Sequence, residues 1–162
     1  SLALGGAAIL IATFLGLALG ALAALRQNGP LDYAVTATSM TGIAIPNFVR
    51  LIGNSKEAGV KTNSHTVQMT AEDFSIQNDG VYAADLTSTT AVTGETMIDL
   101  LPQNTFLKNP FTGGATEPID GAAAGPGETG YEPVVDGGGQ NIGYVITGYG
   151  KSTIVARLSN GQ

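Results

Sequence analysis

The first 25 residues are all apolar, small or hydroxyl-bearing, and the first charge along the chain is Arg26. An uncharged run of this length matches the roughly 20 residues a helix needs to cross the hydrocarbon core of a bilayer. It is longer than the apolar core of a cleaved signal peptide, so it is expected to be retained. Within it Ala8, Ala12, Gly16, Gly20 and Ala24 recur every four residues and include one GxxxG spacing. On a helix they form a groove of small residues where another helix can approach closely, which makes them the candidate assembly interface. The plainer reading of the same stripe is that alanine and glycine are common in membrane helices.

Arg26-Gln27-Asn28-Gly29-Pro30 interrupts this run with polar residues and a Gly-Pro pair, so a break or kink belongs there. Leu31 to Val49 is again mostly apolar, with Asp32, several Thr/Ser and Pro46, and reads as a second membrane segment or as the continuation of one long kinked helix. From Asn47 to Gln77 the pattern becomes amphipathic. Val49, Ile52, Val60, Val67, Ala71 and Phe74 fall near one face, and Lys56, Glu57, Lys61, Glu72 and Asp73 supply the polar side. Asn78-Asp79-Gly80 supplies the stop.

Beyond that point the period changes. Val81 to Leu101 is mixed, its Thr/Ser run fitting either a strand or an exposed loop. Asn109-Pro110-Phe111-Thr112-Gly113-Gly114 and the Gly121–Gly130 region are turn chemistry. Tyr131 to Val135 reads as a short strand and Asp136-Gly137-Gly138-Gly139 as a turn. Residues 141–147 and 152–158 alternate as the two arms of a hairpin, which needs the amphipathic helix as a surface on which to bury one face. The pattern predicts an α+β fold: a long apolar N-terminal helix, kinked near Gly29-Pro30 and Pro46, with a small antiparallel sheet packed on its amphipathic C-terminal half. Residues 1–46 form the apolar segment and residues 47–162 the globular domain.

Charge narrows the function. The net charge is −6, and 11 of the 13 acidic residues lie between Glu72 and Asp136, where Lys108 is the sole basic residue. Such a surface has no basic field for a phosphate backbone, which excludes nucleic-acid binding. With no cysteine and one histidine, disulfides, thiolate metal sites, thiol nucleophiles and multi-histidine metal sites are all absent from the repertoire.

Few residues are left to carry chemistry. His65 stands without a serine and aspartate to complete a hydrolytic set and reads as a packed or surface histidine. Glu72 and Asp73, adjacent on a helix, face about 100° apart and cannot act as a carboxylate dyad, so they read as a solvated helix end. Gly137-Gly138-Gly139 lacks the lysine and hydroxyl residue that end a phosphate loop. Glu117, Asp120, Glu128, Glu132 and Asp136 are hard oxygen ligands in loops, a candidate calcium set set against the plainer reading of a solvated acidic surface. No catalytic set, cofactor motif or enzyme activity follows.

The words Gly42-Ile43-Ala44-Ile45-Pro46-Asn47-Phe48, Lys56-Glu57-Ala58 and His65-Thr66-Val67-Gln68 resemble the first helix of type IV pilins and type II secretion pseudopilins. Glu72-Asp73-Phe74, Asn78-Asp79-Gly80-Val81-Tyr82, Leu107-Lys108-Asn109-Pro110-Phe111-Thr112 and the hairpin at Gly143-Tyr144 continue that resemblance. It covers about residues 42–162 and implies a ladle-shaped subunit that sits in the inner membrane and then self-associates into an extracellular helical filament. The start departs from the family, for Gly29 stands where the family's buried glutamate would lie relative to Pro46. A terminal ammonium at Ser1 therefore has no such partner, and exposure of Ser1, or pairing with a neighbour's Asp32, is the expectation.

Residues 1–49, with Leu22-Ala23-Ala24-Leu25-Arg26-Gln27-Asn28 and Leu31-Asp32-Tyr33, resemble instead a membrane portion of oligopeptide ABC-transporter permeases. The two resemblances meet at the shared Ala-Ile-Pro-Asn-Phe word. A natural fusion, an engineered or misassembled sequence, and a pilin with a diverged amino-terminal half all fit. The leading expectation is a structural, non-enzymatic pilus-like filament subunit. The alternative is a membrane component of a peptide ABC transporter, or a fusion of such a segment to a pilin-like domain.

Overall fold

The structure, a computed structural model, describes residues 2–160. Ser1 and its amine lie outside the described residues. Two helices, α1 (Leu2–Leu25) and α2 (Pro30–Ile76), precede six strands: β1 (Leu107–Lys108), β2 (Ala115–Glu117), β3 (Ile119–Asp120), β4 (Thr129–Val135), β5 (Asn141–Tyr149) and β6 (Ile154–Ser159). The fold is α+β, with a long apolar N-terminal helix and small sheets. The chain divides into two compact units, one up to Leu51 and one from Ile52 onward.

In the first unit the polar cluster separates two helices. Asn28 takes a left-handed φ of 64°, and its N–H donates to Asp32 Oδ2 at 3.0 Å. A carboxylate in the first turn offsets the positive end of α2 and satisfies an otherwise orphaned donor. Pro30 sits at the first helical position, where a missing N–H costs nothing. Pro46, by contrast, lies inside α2, where it has no N–H to give the carbonyl of Gly42; α2 nevertheless runs on through Asn47 to Ile76. The hydroxyls of Thr38, Ser39 and Thr41 donate to the carbonyls of Ala34, Val35 and Ala37 one turn earlier, so this apolar half presents few unsatisfied polar groups.

In the second unit β3, β4, β5 and β6 lie in that order, with β3 parallel to β4 and the remaining pairs antiparallel. The β5–β6 pair is the hairpin anticipated from the alternation. β1 and β2 form a separate two-stranded ribbon around the Asn109 turn, and they escape sequence reading because two or three residues carry no period.

The core joins Val67, Ala71 and Phe74 of α2 to Tyr131 of β4 and Tyr144 and Ile146 of β5, with Ala83, Leu86, Met97 and Leu101 from the irregular 81–101 segment. Tyr144, Ile146 and Gly148 alternate onto one face of β5, as a period of two requires. Gly148 is where sheet and helix come closest, since a Cβ there would lie 2.6 Å from Ser64 Oγ and 2.9 Å from Val60 Cγ1.

The buried face of α2 is shorter than its apolar pattern suggests. Val60, Val67, Ala71 and Phe74 are buried, whereas Val49 and Ile52 are exposed at 60% and 43%. On the second unit's part of α2, the first fully buried apolar residue is Val60, close beneath Gly148 of β5. The helix ends as Asn78-Asp79-Gly80 anticipates: Asp79 and Gly80 take φ of 53° and 83°, and Gly80 N–H donates to the Ser75 carbonyl at 2.8 Å.

Candidate functional site

α1 is the helix among the described residues long and apolar enough to cross a membrane. Leu10, Ile11, Phe14 and Leu17 are all at least 60% exposed. Ala8, Ala12, Gly16, Gly20 and Ala24 are exposed along it as well, and a Cβ built at Gly16 or Gly20 would meet nothing within 4 Å. Within the unit, Leu19 lies beside Ala34, Val35, Thr38 and Ser39 of α2, and Ala23 is buried at 6% exposure. Leu19 and Ala23 each lie one position before Gly20 and Ala24 of the small-residue stripe, which is exposed. Ala23 falls outside the stripe of four-residue spacing that singled out its neighbour Ala24.

In the second unit the ionisable residues fasten loops. Glu117 is 1% exposed and accepts hydrogen bonds from Asn109 Nδ2 at 3.0 Å, Thr116 Oγ1 at 3.0 Å and the N–H of Thr129 at 2.7 Å. Asp120 accepts from the N–H of Leu86, Glu128 from those of Ala124 and Gly125, and Asp136 from those of Gly138 and Gln140. The candidate calcium ligands are thus dispersed, four of the five held by nearby N–H or amide donors. Among the described residues no three His, Asp or Glu side chains gather as a metal-binding set.

Asn109 is the centre of the tightest polar knot. Its Nδ2 donates to Glu117 and to the Pro126 carbonyl, and its Oδ1 accepts from the N–H groups of Phe111 and Thr112. That uses the full capacity of the amide. The β1–β2 ribbon docks on α2 beside it: Asn63 Nδ2 donates to the Lys108 carbonyl at 2.9 Å, Lys56 Nζ lies 5.4 Å from the Phe111 ring centroid, and Gly59 leaves room for Pro110.

Glu72 departs from the expectation of a solvated helix end. Its carboxylate accepts from Tyr144 Oη at 2.6 Å and Tyr82 Oη at 3.0 Å, while Asp73 is exposed. Tyr82 and Tyr144 meet edge to face with centroids 5.2 Å apart, and Tyr131 stacks on Tyr144 at 6.4 Å. Burial, and then the bond to Glu72, pushes the Tyr144 hydroxyl well above the usual phenol range. Burial, with the neighbouring Tyr144, does the same to Tyr131, whose hydroxyl donates to the Ala83 carbonyl. Asp85 and Asp99 are held below the usual carboxylate range by hydroxyls of their own loops, Thr87 and Ser88 for Asp85 and Thr96 for Asp99. His65 lies exposed with Gln68 Oε1 3.3 Å from its Nδ1, away from any nucleophile partner.

No family model matches the chain, and no solved structure does. A short stretch does have relatives. It is 55% identical over 49 residues to the dipeptide transport system permease protein DppB of Bacillus subtilis, covering 30% of this chain and 16% of that protein. It is 50% identical over 46 residues to the oligopeptide transport system permease protein OppB of Salmonella typhimurium and of Escherichia coli, covering 28% of this chain and 15% of each. The chain thus spans about one sixth of the length of these curated relatives. The likeness supports the permease resemblance of the amino-terminal segment; the pilin resemblance of the remainder has no counterpart among these matches.

Proposed function

We propose that the chain is a membrane-held protein in which a permease-like helical segment anchors an α+β head, either as a membrane component of a peptide ABC transporter or as a fusion of such a segment to a pilin-like domain. The observation that carries this reading is the 55% identity over 49 residues to a dipeptide permease, in a chain whose α1 holds 24 residues without a charge. In water such a helix would leave its leucines and phenylalanine unburied; in hydrocarbon it needs no partner. Its place is the inner membrane, and the head has no catalytic task.

A second reading keeps the pilus-like filament, because the head from Ile52 has the helix-plus-antiparallel-sheet arrangement that the pilin resemblance implies and the small-residue stripe of α1 is open for contact between copies. Fractionation of expressing cells combined with electron microscopy of their surface separates the two. Retention of the chain in the membrane fraction without surface filaments supports the first reading. Helical filaments that contain the chain overturn it in favour of the second.

A further inference from the structure

The polar turn folds the apolar part of the chain back on itself. Leu19 of α1 and Thr38 of α2 line one hollow together with Ala34, Val35 and Ser39. Laid end to end as one helix, Leu19 and Thr38 would stand about 28 Å apart, so α2 runs back along α1.

The returning stretch has the length and the surface of a membrane span. Between Asp32 and Arg50 the 17 residues 33–49 carry no charge. That count reaches the lower end of the roughly 17–25 residues that cross a bilayer, with a rise of about 26 Å. Met40, Ile43, Ile45, Phe48 and Val49 are exposed, and at about 100° per residue they point to several sides of the helix. A helix that is apolar all round is buried in a large core or in a membrane. The exposed leucines and phenylalanine of α1, on which this stretch packs, make that cover lipid.

Mean hydropathy singles out α1 among the described residues, because Thr36, Thr38, Ser39, Thr41, Pro46 and Asn47 dilute α2. The average overstates their cost. Thr38, Ser39 and Thr41 donate to the carbonyls of Ala34, Val35 and Ala37, which leaves these hydroxyl protons satisfied within the helix. Thr36 and Asn47 lie within about one turn of the flanking charges, and proline is tolerated in membrane helices. Asp32 belongs to the turn, since its Oδ2 accepts the N–H of Asn28.

We propose that α2 up to Arg50 is a second membrane crossing, paired with α1 as an antiparallel hairpin. Residues 26–29 then emerge on one face of the bilayer, and the chain beyond Arg50 emerges on the face from which α1 enters. The charge-free α1 drives insertion, and α2, too polar to enter by itself, enters with it. The proposal rests on the membrane reading and deepens it, for a chain with α1 as its one crossing places Gln27 and Asn54 on the same face.

Because the chain has no cysteine, single-cysteine variants report position cleanly. Gln27→Cys, Ala37→Cys and Asn54→Cys, each in the full chain, are treated with a membrane-impermeant maleimide in spheroplasts and in inside-out vesicles, before and after detergent. Gln27→Cys and Asn54→Cys are expected to react in opposite preparations, and Ala37→Cys in neither until detergent is added. Carbonate extraction of the same cells reports separately on anchoring. Reaction of Gln27→Cys and Asn54→Cys in the same preparation, or of Ala37→Cys before detergent, overturns the second crossing while a chain in the carbonate pellet leaves the membrane reading standing. A chain in the carbonate supernatant removes both.

Discussion

Tyr144 Oη donates to Glu72 Oε1 at 2.6 Å, a bond that ties β5 to α2 across 72 positions of sequence. Tyr82 closes on the other oxygen of the same carboxylate, so helix, sheet and the segment between them share one acceptor. Hydrogen bonds to a charged group contribute about 1.5–3 kcal/mol each. Tyr144→Phe is expected to lower stability within that range in urea titration, and Glu72→Ala more, because it strands two hydroxyls. The pH dependence follows from the raised hydroxyls of Tyr144 and Tyr131. Their folded pKa lies above the unfolded value of about 10, so their contribution is complete below pH 10 and is lost as pH rises beyond it. The double variant Tyr131→Phe/Tyr144→Phe should flatten the decline of stability above pH 10; an unchanged slope would count against the cluster as its source.

Phe74 is 1% exposed in the middle of the core. Phe74→Ala is expected to cost about 3 kcal/mol or more, lost transfer energy and cavity together. A loss below about half a kilocalorie in denaturant titration contradicts its burial.

The prominence of Phe74 in both sequence and structure shows what is legible in such a chain. Val60, Val67, Ala71 and Phe74 recur at helical spacing because they face the core, and the arms read as 141–147 and 152–158 fall on the paired strands β5 and β6, where Tyr144 and Ile146 alternate toward α2. Those signals are local. Glu72 looked like surface because the two tyrosines that meet it lie 10 and 72 residues away. Likewise, the acids of the 117–136 region looked like a ligand set because spacing cannot tell whether a carboxylate faces other carboxylates or backbone N–H and amide donors, local for Glu128 and Asp136 and distant for Glu117 and Asp120.

Two buried polar residues should respond in opposite ways. Asn109 is 3% exposed with all four amide bonds made. Asn109→Asp removes both donors and sets a second carboxylate against Glu117, so it should destabilise by about 3 kcal/mol or more. Thr129 is fully buried and its Oγ1 has no hydrogen-bond partner among the described residues. Thr129→Val keeps the shape and removes the unsatisfied hydroxyl, so thermal melting should find it neutral or stabilised by about 1 kcal/mol. A large loss at Thr129 would mean that the hydroxyl has a partner.

The stripe on α1 carries a prediction of its own. Gly16 and Gly20 face open space, so Gly16→Leu and Gly20→Leu should leave the head folded. If the stripe joins copies, both variants should lower energy transfer between donor- and acceptor-labelled chains in bilayers, since leucine holds two backbones apart. Equal transfer in wild type and both variants would remove the stripe as an interface.

The central claim, that α1 holds this chain in a membrane, is tested most directly by alkaline carbonate extraction of membranes from expressing cells. The wild-type chain is expected to stay in the pellet. The double variant Phe14→Lys/Leu15→Lys, at about 2.5–3.5 kcal/mol per buried charge, should move to the supernatant with its head folded. A wild-type chain recovered in the supernatant, or a double variant that pellets with it, would contradict the account.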